Sequence, residues 1–430
     1  PDIVQAHDKG IIHFHDADYF GQNALTNCCL INLDDMLQYG TVINGVKINK
    51  PHRLLTATTI ASQIITAVSS SQYGGCTITL SHLAPFVRDS YNWYFNKYKE
   101  WGTNDEEAKI AATADLYKEI KDAVQTFNYQ VNSMSTTNGQ APFITVFMYI
   151  DENPEYKDGT ALLLSEFLNQ RIEGMPDRTG HMVTQAFPKL IYALDEDNIN
   201  PDSEYCWATK KAAKSTAKRM NPDYVSVKVM EGYKGEAFPS MGCRSWLTPD
   251  TATENLANAN NWVKGHKYYG RFNEGVVTLN LVDLALSSGG DIDTFWKLFE
   301  ERTELCHRAL RIRHERLLGT SSDVAPILWQ DGALARLKPH EPIDKLLCAQ
   351  YSTISLGYAG LYECVKYMTG HSHTDGGVGE AFGLEVMKAL NDKCEQWKKA
   401  ENVGYSVYGS PEIYLRFYGT FTSDGEIKVA

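Results

Sequence analysis

Apolar positions along the chain follow two rhythms, and the switches between them mark out its elements. In 51–73, "PHRLLTATTIASQIITAVSSSQY", Leu55, Ile60, Ile64, Ile65 and Val68 recur at helical spacing. Proline opens this segment and Gly74–Gly75 follow it, a pattern of helix start and stop. The same spacing predicts helices over 105–132 and over 292–318, the latter with Phe295, Leu298, Phe299 and Leu305 inward. Between the helices lie short runs bounded by Gly, Pro, Asn or Asp: "PFITVFMYI" (142–150), "KLIYAL" (189–194), "GVVTLNL" (275–281), "VAPILW" (324–329), "STISLGY" (352–358) and "GYSVYGS" (404–410). Runs that are apolar on both faces and separated by helix-length segments predict buried, largely parallel strands covered by helices. The fold class is therefore α/β, an open sheet or a closed barrel. No internal repeat or low-complexity linker divides residues 1–430, which read as one large catalytic domain.

Composition narrows the partners. Hydrophobic residues make up 43% and charged residues 22%, the profile of a water-soluble globular chain. No apolar run reaches the roughly 18 residues of a membrane span, and "PDIVQAHDKGIIHFHDADYF" lacks the basic and apolar regions of a signal peptide. The sequence does not begin with methionine and reads as part of a longer polypeptide. A net charge of −12 argues against a duplex nucleic-acid surface, though not against single nucleotides held by helix N-termini. Nine cysteines in no regular spacing point to a reducing cytoplasm rather than a disulfide framework. No CxxC pair marks a zinc ribbon or a redoxin motif.

Chemistry concentrates in a few short stretches. In "FPSMGCRSWL" (238–247), Cys243 stands among proline, glycine and arginine, which places it at a loop tip. From residue types alone it is a buried thiol, a metal ligand, a nucleophile or something less common, but nothing nearby supplies a histidine base. In "TNCCLINL" (26–33), Cys28 and Cys29 cannot ordinarily pair with each other, so one of them can face a cavity while the other packs inside. His13 and His15 of "HFHD" lie two residues apart, on one face of a strand, and no further ligands complete a metal site. Ser410–Pro411, after the last strand, resembles a helix start that cradles phosphate.

Taken in order, "GIIHFHDADY" (10–19), "LTNCCLINLDDML" (25–37), "SSQYGG" (70–75), "NGQAPFITV" (138–146), "FPSMGCRSWL", "RFNEGVVTLNL" (271–281), "VAPILWQDGA" (324–333), "ISLGYAGL" (354–361) and "YSVYGSPE" (405–412) closely resemble the anaerobic (class III) ribonucleoside-triphosphate reductases, which are glycyl radical enzymes. The resemblance implies a ten-stranded α/β barrel of two five-stranded parallel halves arranged antiparallel, with helices outside and a finger loop through the centre. Cys243 at the tip of that loop would be the thiyl radical that abstracts the ribose 3′ hydrogen. Cys28 would donate hydrogen at the 2′ position as water leaves, and Asn27 would lie beside the ribose. Ser410 and Pro411 would form the strand-to-helix turn that cradles the substrate phosphates. Family members with asparagine at the position of Asn273 use formate as reductant, whereas a glutamate there accompanies a dithiol. Glu274 is adjacent, and the spacing to "GVVTLNL" favours Asn273. His13 or His15 would help position formate.

The family's glycyl-radical loop, its four-cysteine zinc site and its N-terminal ATP-cone have no counterpart in the 430 residues and are expected in the full polypeptide. The resemblance further implies ATP, dATP and other dNTPs as allosteric effectors and a radical-SAM activase. It also implies a homodimer with helix 51–73 near the interface. The competing readings are another glycyl radical enzyme, pyruvate formate-lyase-like or a diol dehydratase, and an inactive nucleotide-binding regulator. A lyase of that kind carries its adjacent cysteines on the finger loop, whereas here the pair sits at 28–29.

Overall fold

The computed structural model describes residues 1–137, 139–242, 245–262, 266–410, 419–421 and 427–429. Nine strands build its two main sheets: β1 (Ile12–Phe14), β2 (Cys29–Leu30), β3 (Cys76–Thr79), β4 (Ile144–Met148), β5 (Lys189–Leu194), β6 (Asp223–Ser226), β7 (Asn273–Asn280), β8 (Thr353–Ala359) and β9 (Gly404–Gly409). One sheet has the order β6-β5-β4-β3-β2 and is parallel throughout. The other has the order β1-β7-β8-β9, with β7, β8 and β9 parallel and β1 antiparallel to β7. An antiparallel bridge between Cys29 and Phe272 joins the sheets, and Leu30 N–H donates to the Arg271 carbonyl beside it (3.0 Å). The two parallel sets therefore run in opposite directions, so the amino ends of one meet the carboxyl ends of the other.

The strands form where the sequence is apolar on both faces. All five residues of β4 and all eight of β7 are buried, as parallel strands covered by helices require. Flanking helices include α1 (Asp2–Asp8), α2 (Ala17–Gln22), α3 (Leu54–Ser69), α4 (Ala84–Glu100), α5 (Asp105–Ser133), α6 (Ile292–Leu317) and α7 (Val378–Glu401). The first turn of α5 is fixed by a capping box: the Glu107 N–H donates to Asn104 Oδ1 (2.9 Å), and the Asn104 N–H donates to Glu107 Oε2 (3.4 Å). Among the described residues no helix is long and apolar enough to cross a membrane.

One expectation changes. "VAPILW" is not a strand: Pro326–Trp329 is a short helix, with Pro326 in its first turn, where a preset φ and a missing N–H cost nothing. Ile327, Leu328 and Trp329 are buried in the core all the same, so the apolar run marks burial rather than extension. The helix expected over 51–73 runs from Leu54 to Ser69. Leu54, Ala57, Ala61, Ile64, Ile65 and Val68 of α3 share one core cluster with Ile120, Val124, Phe127 and Val131 of α5, so its apolar face is spent inside the protomer.

Candidate active site

Where the amino ends of β3, β4 and β5 face the carboxyl end of β9, the chain encloses a cavity of about 550 Å³. His7, His13, His15 and Asp16 line one side, Phe143, Phe187 and Lys189 another, and Asn27, Cys28, Gly74, Gly75 and Gly242 the floor. The two adjacent cysteines divide as strand alternation dictates. Cys28 faces the cavity, whereas Cys29 is fully buried in the core, where burial holds its thiol well above the usual range.

The glycine pair of "QYGG" serves this floor, not the end of α3, which already stops at Ser69. An added Cβ at Gly74 would lie 2.6 Å from Cys28 Sγ and 2.5 Å from the Asn27 carbonyl. One at Gly75 would lie 2.8 Å from the Gly242 Cα. Only glycines let three backbones meet here.

Loop 238–247 reaches this floor from the far side. Met241 N–H donates to the Ser245 carbonyl (2.7 Å), closing the loop just below its tip. Two strand threonines hold it: Thr77 Oγ1 donates to the Ser240 carbonyl (2.8 Å) and accepts from Gly242 N–H (3.0 Å), and Thr145 Oγ1 donates to the Gly242 carbonyl (2.7 Å). A Cβ at Gly242, in the left-handed region at φ 59°, would stand 3.5 Å from Cys28 Sγ. Cys243, the next residue, lies outside the described residues, as do Arg244 and Pro411.

The pleat of β7 separates Asn273 from Glu274. Asn273, fully buried, accepts from Asn27 Nδ2 (3.2 Å) and donates to Thr353 Oγ1 (3.1 Å) and Ser355 Oγ (2.9 Å). Its backbone pairs with the Asn27–Cys28 segment on both sides. Glu274 accepts from Ser352 Oγ (2.6 Å) and meets His314 Nδ1 of α6 (2.9 Å). Asn273 is thus coupled to the cavity floor, and Glu274 is engaged by α6 and the start of β8.

His13 and His15 both line the cavity, their rings 4.5 Å apart. His15 Nε2 hydrogen-bonds Thr278 Oγ1 of β7 (2.6 Å), and Thr278 in turn hydrogen-bonds the Ser410 hydroxyl. Burial, with His13 and Arg313 adding to it, pulls His15 down to about 3, so it is neutral at any working pH. Thr278 thereby ties together two residues that the sequence reading singled out from opposite ends of the chain.

The sequence profile of the family described as "Anaerobic ribonucleoside-triphosphate reductase" matches residues 1–412. The chain belongs to this family. The Escherichia coli K12 reductase is 36% identical over 419 residues, covering 96% of this chain and 56% of that protein. The phage T4 reductase is 34% identical over 425 residues, covering 95% and 65%. The chain thus spans a little over half the length of its bacterial relative. Among solved structures, the Thermotoga maritima anaerobic reductase in complex with dATP and CTP aligns over 94% of this chain and 63% of its own, at TM-score 0.65 and 16% identity. Its citrate-bound form aligns over 96% and 69%, at TM-score 0.67 and 15% identity, which shows a shared fold.

In this chain the residues that sequence reasoning missed are mostly buried hydroxyls. Thr77, Thr145, Thr278, Thr353 and Ser355 sit inside apolar runs, where a threonine reads as an ordinary strand former. The available signal was a polar residue in a strand that is buried on both faces. The His314–Glu274 pair also makes a pH prediction. Burial lowers His314, but the hydrogen bond and charge of Glu274 outweigh it, so the net shift is upward. A raised folded pKa gives stability that is full below about 6.5, the ordinary histidine value, and is lost as pH rises through the folded value. The unfolding midpoint of the wild type should therefore fall from pH 6 to pH 8 by more than that of His314→Gln. Equal slopes in thermal melts of the two proteins would remove the pair as their cause.

Proposed function

We propose that the chain is the catalytic region of an enzyme that reduces ribonucleoside triphosphates to 2′-deoxyribonucleoside triphosphates by thiyl radical chemistry. The observation that carries this reading is the meeting of Cys28 with loop 238–247, whose Gly242 abuts Cys28 and Gly75 immediately before Cys243. The strands are read as parts of a ten-stranded barrel whose two halves enclose that loop. Eight strands in two oppositely directed parallel sets, of five and of three, joined at Cys29–Phe272, support this reading, with β1 antiparallel at one edge.

In the proposed reaction the Cys243 thiyl takes the 3′ hydrogen from the ribose. Cys28 supplies hydrogen at the 2′ position as the hydroxyl leaves as water, and the 3′ hydrogen is finally returned. Such a step needs a thiol held close to the sugar in a shielded site and no neighbouring base. Asn27 contacts the ribose, and Ser410 and Pro411, with Thr278 and His15 behind Ser410, take the phosphates. The resting radical and a structural zinc are assigned to a C-terminal region of the full polypeptide, and an ATP-cone to its N-terminal side. A radical-SAM activase generates the radical. ATP, dATP and other dNTPs are proposed as effectors, by likeness to the T. maritima reductase with dATP bound in the specificity site. The enzyme is proposed to be cytoplasmic, where the thiols of the eight described cysteines, none of them in a disulfide, remain reduced. A homodimer is proposed; full-length protein that scatters light as a monomer at every concentration would exclude it.

Formate is proposed as the reductant, giving up two electrons as it becomes CO2, with His13 or His15 positioning it. The support is that Asn273, not a carboxylate, is the side chain coupled to Asn27. The test follows dCTP and labelled CO2 from CTP and carbon-labelled formate, using activated full-length protein without oxygen. Equal yields are expected. If dCTP forms only with a dithiol redoxin and no CO2 appears, the reductase reading stands and the assignment of Asn273 falls.

A further inference from the structure

Asp16 lines the cavity without being used by the fold. It forms the turn between β1 and α2 in the left-handed region (φ 50°, ψ 45°), a conformation open to aspartate and asparagine more than to most residues. It occupies the N-cap of α2, yet its carboxylate makes no capping bond, and among the described residues no donor reaches it. A buried cation lies close by. Arg313 of α6 is 2% exposed, with its guanidinium 3.9 Å from the centre of the Phe14 ring. Arg313 Nη1 donates to Tyr73 Oη (2.9 Å), and among the described residues Nε and Nη2 have no hydrogen-bond partner and no carboxylate comes within ion-pair distance. This charge favours the ionised form of Asp16 without occupying its lone pairs.

We infer that the Asp16 carboxylate accepts a hydrogen bond from a ribose hydroxyl of the bound nucleotide, an inference that rests on the reading above. Asp16, Tyr73 and Cys28 line the same cavity, so the carboxylate and the thiol open onto one space. A carboxylate beside Asp18, which also lines this wall, repels phosphate and suits a neutral hydroxyl donor. The phosphates are assigned to Ser410 and Thr278, which His15 reaches through its bond to Thr278. Ionisation sets the pH range. Burial raises Asp16 to about 6, opposed by Arg313 from α6 and reinforced by Asp18 of α2. Of the other groups facing it, His15 stays neutral over this range and Tyr73, raised to about 12, stays protonated. The acceptor is therefore present above about pH 6 and lost below it.

The test compares equilibrium binding of CTP, 2′-deoxyCTP and 3′-deoxyCTP to full-length protein that has not been activated. At pH 8 the wild type should prefer CTP over one of the analogues by about tenfold to a hundredfold, the range of a hydrogen bond to a charged group. That ratio should shrink at pH 5; because it is taken at a single pH, titration of the phosphates cancels. Asp16→Asn keeps the turn residue and should show a small ratio at both pH values. A wild-type ratio that does not change with pH, or an Asp16→Asn ratio equal to that of the wild type, overturns the inference while leaving the reductase reading intact. Failure of the wild type to bind CTP overturns both.

Discussion

Replacing Cys28 by alanine in the activated full-length protein should cut dCTP formation by at least about a thousandfold, or about 4 kcal/mol of activation barrier. CTP affinity and the unfolding midpoint should barely move. Cys28 is half-buried and faces the cavity, and its sulfur makes long contacts to Asn27 Oδ1 (3.4 Å) and from Gly75 N–H (3.3 Å). Cys29→Ala should do the reverse, lowering stability through the cavity it leaves while the folded fraction still turns over. Cys243→Ala is expected to match Cys28→Ala. The double variant should be little worse than either, because in the proposed reaction the two thiols act on one substrate in one sequence. A Cys28→Ala protein that makes dCTP at the wild-type rate would separate this thiol from the chemistry.

Gly75→Ala carries the second large effect. Its backbone is ordinary, so alanine is tolerated locally, but the new methyl meets Gly242 Cα at 2.8 Å and the Phe143 carbonyl at 3.2 Å. The tip of loop 238–247 must move, and a shift of about 1 Å at a reacting group costs roughly a hundredfold. Turnover should fall by about that factor, with CTP affinity retained. Gly232→Ala is the control: it lies within a helix, its methyl meets nothing within 4 Å, and it should leave turnover unchanged. Unaltered turnover in Gly75→Ala would mean that the loop tip is not held at the distance described.

How much of this was legible in the sequence differs by element. β5 begins and ends at the residues its apolar run predicts, and the helix predicted over 105–132 extends to Ser133, because periodicity and capping residues act locally. "VAPILW" misled because apolarity reports burial, and only its proline announced a helical turn. The separation of Cys28 from Cys29 follows from strand alternation and was open to the sequence; alternation alone does not say which of them faces the cavity, and it was the family resemblance that pointed to Cys28. The reason for Gly74 and Gly75 was hidden. It depends on Asn27, Cys28 and Gly242, residues distant in sequence that meet only in the folded chain. Thr77 and Thr145 were hidden in the same way, since each bonds a loop about a hundred residues or more along the chain. Asn273 and Glu274 could be ranked by spacing, but the strand pleat is what sends one to Asn27 and the other to His314.

The most direct test of the central claim is turnover of CTP deuterated at the 3′ position by the activated full-length protein, with formate present and oxygen absent. If a thiyl at the loop tip takes the 3′ hydrogen and later returns it, dCTP should form more slowly than from unlabelled CTP, with part of the deuterium still at C3′. Formation of dCTP at an unchanged rate, or no dCTP from either substrate, would contradict the account.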